Sequence, residues 1–79
     1  MESFDLRVMR QIDSFHHKIK MYEGLIEKAT IEIETSREKY GDEGYRSVLR
    51  RYQPRIDGYH QMIARTQKAI DKLPKVDNV

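Results

Sequence analysis

The chain has no cysteine, no tryptophan, only two prolines and only four glycines among its 79 residues. Without cysteine, neither a disulfide framework nor a thiolate metal site can stiffen it. No apolar run approaches the ~20 residues of a membrane span. The opening stretch "MESFDLRVMR" carries acids and lacks the apolar core of a signal peptide. The compartment this points to is a cytoplasm, of the cell itself or of a host. An excess of one sign of charge is lacking too: net charge is +2, which gives weak global attraction to nucleic acid. Motifs of catalysis are missing. There is no glycine-rich phosphate loop, no nucleophile elbow and no HExxH, and the carboxylates fall on outward positions. An enzyme is not expected, nor a cofactor, nor a small-molecule substrate.

What the chain has is a balance of 38% hydrophobic and 35% charged residues, typical of amphipathic helices. At this length it forms one domain, and a lone core supplies only about 3–5 kcal/mol. A partner or a second copy is the remaining source of stability.

Apolar residues step by four and three from Val8 through Ile12, Phe15, Ile19, Tyr22, Ile26, Ala29 and Ile33 to Ser36 and Tyr40. This is a heptad pattern with the isoleucines at a, Tyr40 closing the a series, and Val8, Phe15, Tyr22, Ala29 and Ser36 at d. A second stripe runs through Tyr45, Leu49, Tyr52, Ile56, Tyr59, Ile63, Thr66, Ile70 and Leu73. Pro54 falls at outward position f of this stripe. A kink is expected there, because proline removes one backbone bond and crowds the carbonyl of Arg50.

Between the stripes lies "YGDEGY". Gly41 suits the left-handed position after a helix end, and Asp42 suits the N-cap of the next helix. The pattern predicts an all-α antiparallel two-helix hairpin, coiled-coil-like: a helix over 4–40, a turn at 41–44, a second helix from 43 to 73 and a frayed tail over 74–79. Folding there sets Ser36 against Leu49, Ile33 against Tyr52, Ala29 against Ile56, Ile26 against Tyr59, Tyr22 against Ile63 and Phe15 against Ile70. Small residues then face large ones, as interdigitated packing requires.

The flanks differ. On the g flank Leu25 meets Met62 and Glu32 meets Arg55, with Val48 and Ala69 also at g. On the e flank Glu23 meets His60 as an edge ion pair. A hairpin with one widened apolar edge is half a bundle, so homodimerisation into a four-helix bundle is expected, or docking on a larger protein. Leu25, Val48, Met62, Ala69 and Met21 are the candidate contact residues, with Met9 a further off-stripe methionine.

The stretch "YRSVLRRYQPR" holds four arginines and no acid. Arg46 and Arg50 lie on one flank, Arg51 and Arg55 on the other, and Arg37 and Lys39 lie near the same tip. Three readings fit this patch: a solvated face, an acidic protein partner, or a grip on the phosphates of duplex RNA or DNA. Arg46 is expected opposite Arg37, a mildly unfavourable like-charge contact. The five tyrosines fall on the stripes and read as packing residues rather than platforms for bases. His16 and His17 point about 100° apart on a helix, and no histidine pair has the spacing of a helical zinc site, so no metal is expected. A layer this thin leaves no room for a concave pocket.

Overall fold

The computed structural model describes residues 4–74, with nothing of the Phe4 side chain. Its regular structure there is one α-helical element, α1, Phe4–Asp71, and no strand occurs among the described residues. Straight, 68 residues of α-helix would extend about 102 Å. The longest dimension of the molecule is 58 Å, and the other two are 20 and 16 Å. The difference is made at Gly41, the one residue of α1 whose backbone is not helical, at φ 73° and ψ −171°. The Tyr22 and Tyr59 rings, one from each side of that break, lie 6.0 Å apart. The two arms, residues 4–40 and 42–71, therefore share contacts.

The break is narrower and of a different kind than expected. Residues 42–44 are already helical, so the expected turn over 41–44 contracts to Gly41. Nor is Gly41 in the left-handed helical region. Its angles fall in the extended, positive-φ region that is almost exclusive to glycine. One such residue redirects the helix without a loop. Asp42 makes no capping bond among the described residues.

Burial follows the two stripes. Val8, Ile19, Ala29, Ile33, Ser36 and Thr66 are buried, and the other stripe positions between 8 and 73 are half-buried, with one exception. The exception is Tyr40, at 65% exposure. Its place in the packed series is corrected: the helix breaks at the next residue, so no continuing turn presses Tyr40 onto the other arm. The Tyr22 ring contact is with Tyr59, one turn from the Ile63 pairing expected of it. No large side chain is fully buried among the described residues.

Polar groups inside the stripes satisfy themselves locally. Ser36 donates to the Ile33 carbonyl at 2.5 Å and Thr66 to the Met62 carbonyl at 2.8 Å. Thr30 and Thr35 do the same toward Ile26 and Ile31. Two small hydroxyl residues can thus occupy the seam without a cross-chain partner.

Backbone angles stay helical through Pro54. The lost backbone bond lies on the outward side, between the exposed residues Arg50 and Pro54. Gln53 donates to Asp57 at 3.0 Å across the same turn, a local i, i+4 reinforcement. The helix tightens at its end, where Leu73 donates to Ile70, and Pro74 follows without helical structure. The expected frayed tail from 75 onward lies outside the described residues.

Candidate docking surface

Between the arms, on the g flank, the surface is concave. One open groove of about 520 Å³ is lined by Ile31, Glu32, Thr35 and Lys39 from the first arm and by Gly44, Val48, Arg51 and Tyr52 from the second. A smaller one of about 190 Å³ continues along the same flank past Leu25, Lys28, Arg55 and Tyr59. The expectation that a thin layer leaves no concavity is thus corrected. The small side chains of Gly44, Ser47 and Thr35 leave the seam unfilled near the tip.

The candidate contact residues gather on this side. Leu25 is 37% exposed and Met21, one turn before it, 49% exposed. Val48, Met62 and Ala69 are half-buried at g positions of the second arm, with the exposed Arg55 at the g position between Val48 and Met62. Ile31, at 54% exposure, joins them. It stands at an f position, where an isoleucine serves no internal packing, and that mismatch was the signal that could have singled it out. Met9, at e, falls on the opposite flank and is no part of this surface.

The arginine-rich patch is not one patch. Lys39 and Arg51 line the larger g-flank groove and Arg55 the smaller. Arg46 and Arg50 line a different concavity, of about 530 Å³, with Leu49, Gln53, Pro54 and Asp57. Arg37 is engaged elsewhere: its guanidinium carbon lies 4.1 Å from the centroid of the Tyr45 ring. That cation–π contact accommodates a charge expected to face Arg46.

Charge partitions with the flanks. The c and g positions of the first arm hold Lys18, Lys28, Lys39 and one acid, Glu32, and those of the second hold Arg51, Arg55 and Arg65 with no acid. The acids Asp13, Glu23, Glu27, Glu34, Asp57 and Asp71 fall at b and e, on the other side, where Lys20, Arg37, Arg46 and Arg50 offset part of their charge. The expected Glu32–Arg55 pair does not form. Glu32 instead takes the hydrogen bond of the Tyr52 hydroxyl, while Arg55 lies over the Tyr52 ring, 5.4 Å from its centroid. Accepting that bond, and helped by burial and its own charge, Glu32 raises the Tyr52 pKa above its ordinary 10.0. Arg55 and Arg51 oppose the shift more weakly. The expected Glu23–His60 pair is likewise not made; both side chains are exposed.

Among the described residues, no three His, Cys, Asp or Glu side chains are placed to hold a metal ion. No helix there is long and apolar enough to cross a membrane. No protein-family model, curated protein or solved structure matches this chain.

Proposed function

We propose that the chain is an antiparallel, coiled-coil-like helical hairpin that acts in a cytoplasm as a non-enzymatic protein–protein interaction module through its g flank. The observation that carries this reading is the run of exposed apolar side chains, Met21, Leu25 and Ile31, beside an open groove between the arms. Apolar surface gathered along one side is what partners cover. The accessible surface supports the same reading. It is 6653 Å² for a 9.5 kDa chain, against about 5,000 Å² for a compact monomer of that mass. Part of the difference is elongation, which two arms cannot avoid. A second copy docked on the g flank would complete a four-helix bundle, and a larger protein would dock in the same place.

A photo-crosslinking side chain at Leu25 tests the reading in the native host, with the same group at Lys20, on the b side, as control. A protein adduct from position 25 alone is the expected result. Equal adducts from both positions, or none from either, would overturn it.

A second reading is supported by the cations along the tip: Arg46 and Arg50 on one side, Lys39, Arg51 and Arg55 on the other. The chain would then grip duplex RNA or DNA by its phosphates. Such a grip predicts steep loss of binding as salt rises, abolished by Arg50→Glu with Arg51→Glu. No gel shift at low salt would remove it.

A further inference from the structure

We propose that the g-flank groove takes an amphipathic helix of acidic character from another protein, in preference to a second copy of this chain. The proposal rests on the interaction-module reading and adds the chemistry of the partner.

The groove offers both halves of such recognition. Its floor is apolar, from Leu25, Ala29 and Val48. Its rims are cationic: Lys28 and Lys39 on one arm, Arg51 and Arg55 on the other. None of these four is ion-paired among the described residues. The only acid at the c and g positions, Glu32, is drawn to the Tyr52 hydroxyl rather than to a neighbouring cation. The rims therefore hold four cations against the single carboxylate of Glu32, whereas Asp13, Glu23, Glu27, Glu34, Asp57 and Asp71 fall at b and e.

Charge decides between occupants. A two-fold dimer is isologous, so the same patch faces itself. Here that would bring two sets of rim cations together around an apolar seam, a like-charge juxtaposition that suppresses wrong partners. An incoming helix with leucine or isoleucine on one face and glutamate or aspartate flanking it meets apolar floor and cationic rim at once. This is helix-in-groove recognition, with charge setting the choice of partner. A phosphate backbone would use the rims but leave the exposed Met21, Leu25 and Ile31 without a function.

The test uses the full chain and two synthetic peptides of about four heptads. They share leucines on one face and differ only in glutamate or lysine at the flanking positions. Fluorescence anisotropy measures binding of each. The expected result is that the glutamate peptide binds at least about tenfold more tightly than its lysine twin, because several charge pairs of modest strength add. The preference should shrink as salt rises. The double variant Arg51→Glu, Arg55→Glu should reverse it in favour of the lysine peptide, an exchange that mere unfolding cannot produce. Circular dichroism on the same variant confirms its helix content. Equal affinity for the two peptides overturns the proposal, as does tighter binding of a duplex RNA or DNA control than of the glutamate peptide. A chain that is dimeric by light scattering and becomes monomeric as Leu25→Asp also overturns it, leaving the module reading intact with a second copy as occupant. A protein adduct at position 25 without peptide discrimination separates failure of the charge inference from failure of that reading.

Discussion

Tyr40 and Gly44 occupy one space. The Cβ of Tyr40 lies where a methyl group on Gly44 would have to go. The two residues flank the single non-helical position of α1, one turn apart in number but on opposite sides of the break. The re-entering helix can pass so close beneath Tyr40 only because residue 44 has no side chain. The obstacle is a Cβ, fixed to the backbone, and not the movable end of a long side chain.

Gly44→Ala should therefore lower stability by up to about 2 kcal/mol. Alanine gains about 1 kcal/mol in helix propensity, and overpacking against a fixed atom costs about 1–3. Denaturant midpoints check the sign. Combining Gly44→Ala with Tyr40→Gly removes the opposing Cβ and should recover much of the loss relative to Tyr40→Gly alone. A Gly44→Ala chain as stable as the parent would show that the two arms meet the break at another angle.

The other glycines divide by backbone, not by space. Gly24, Gly41 and Gly58 each have room for a Cβ, with nothing within 4 Å. Gly41 alone has positive φ. Gly41→Ala should cost about 1–3 kcal/mol through strain. Gly24→Ala and Gly58→Ala should each raise stability by about 0.5–1 kcal/mol, since alanine suits a helix interior better. For a domain of this size, 1 kcal/mol moves the melting temperature by roughly 4–8 °C, well within reach of thermal scans. Equal effects at all three positions would contradict the conformation of Gly41.

The stripes were legible because burial at a seam imposes a four–three rhythm that few sequences show by accident. Every described stripe position from Val8 to Leu73 except Tyr40 is withdrawn from solvent. Tyr40 was illegible because periodicity carries no information about where the helix is interrupted. Gly44 read as part of a turn, since a glycine needed for close approach looks the same in sequence as one needed for φ. The candidate contact residues Leu25, Val48 and Met62 could be assigned a flank from the register alone. The fate of Glu32 could not. Position g set it equally near Arg55 and Tyr52, and only the geometry of the side chains chose the phenol. Arg37 was misplaced for a similar reason: an edge position predicts a neighbour on the same edge, not a ring on the seam one residue away.

Pro54 is a cost that the chain bears in an otherwise regular helix. Its backbone angles are helical, and it is exposed. Pro54→Ala would restore a donor to the Arg50 carbonyl and remove the ring's crowding, worth up to about 3 kcal/mol. Proline also restricts the unfolded chain, which alanine gives up at about 0.4–1 kcal/mol. The net gain should be about 2 kcal/mol, read as a higher denaturant midpoint. Loss of stability in this variant would mean that the proline fixes a bend on which the second arm's packing depends.

Tyr52 should make stability fall at alkaline pH. Its pKa in the folded chain is raised, first by the hydrogen bond to Glu32 and then by burial. Below the ordinary value of 10.0, folded and unfolded chains both hold the phenolic proton, and the contribution is fully present. As pH rises from there through the folded value, the unfolded chain releases the proton first, so unfolding becomes more favourable. The measurement is made as a difference between variants. Denaturant midpoints of the parent and of Tyr52→Phe, followed from neutral pH to above 10, should run parallel at first and then converge as the parent loses its advantage. Glu32→Ala should remove most of that curvature while leaving the phenol in place, because it deletes the acceptor that favours the neutral ring. Parallel curves across the whole range would mean that the Glu32 carboxylate does not hold the Tyr52 hydroxyl, and the rim of the groove would then carry an acid free to pair with Arg55.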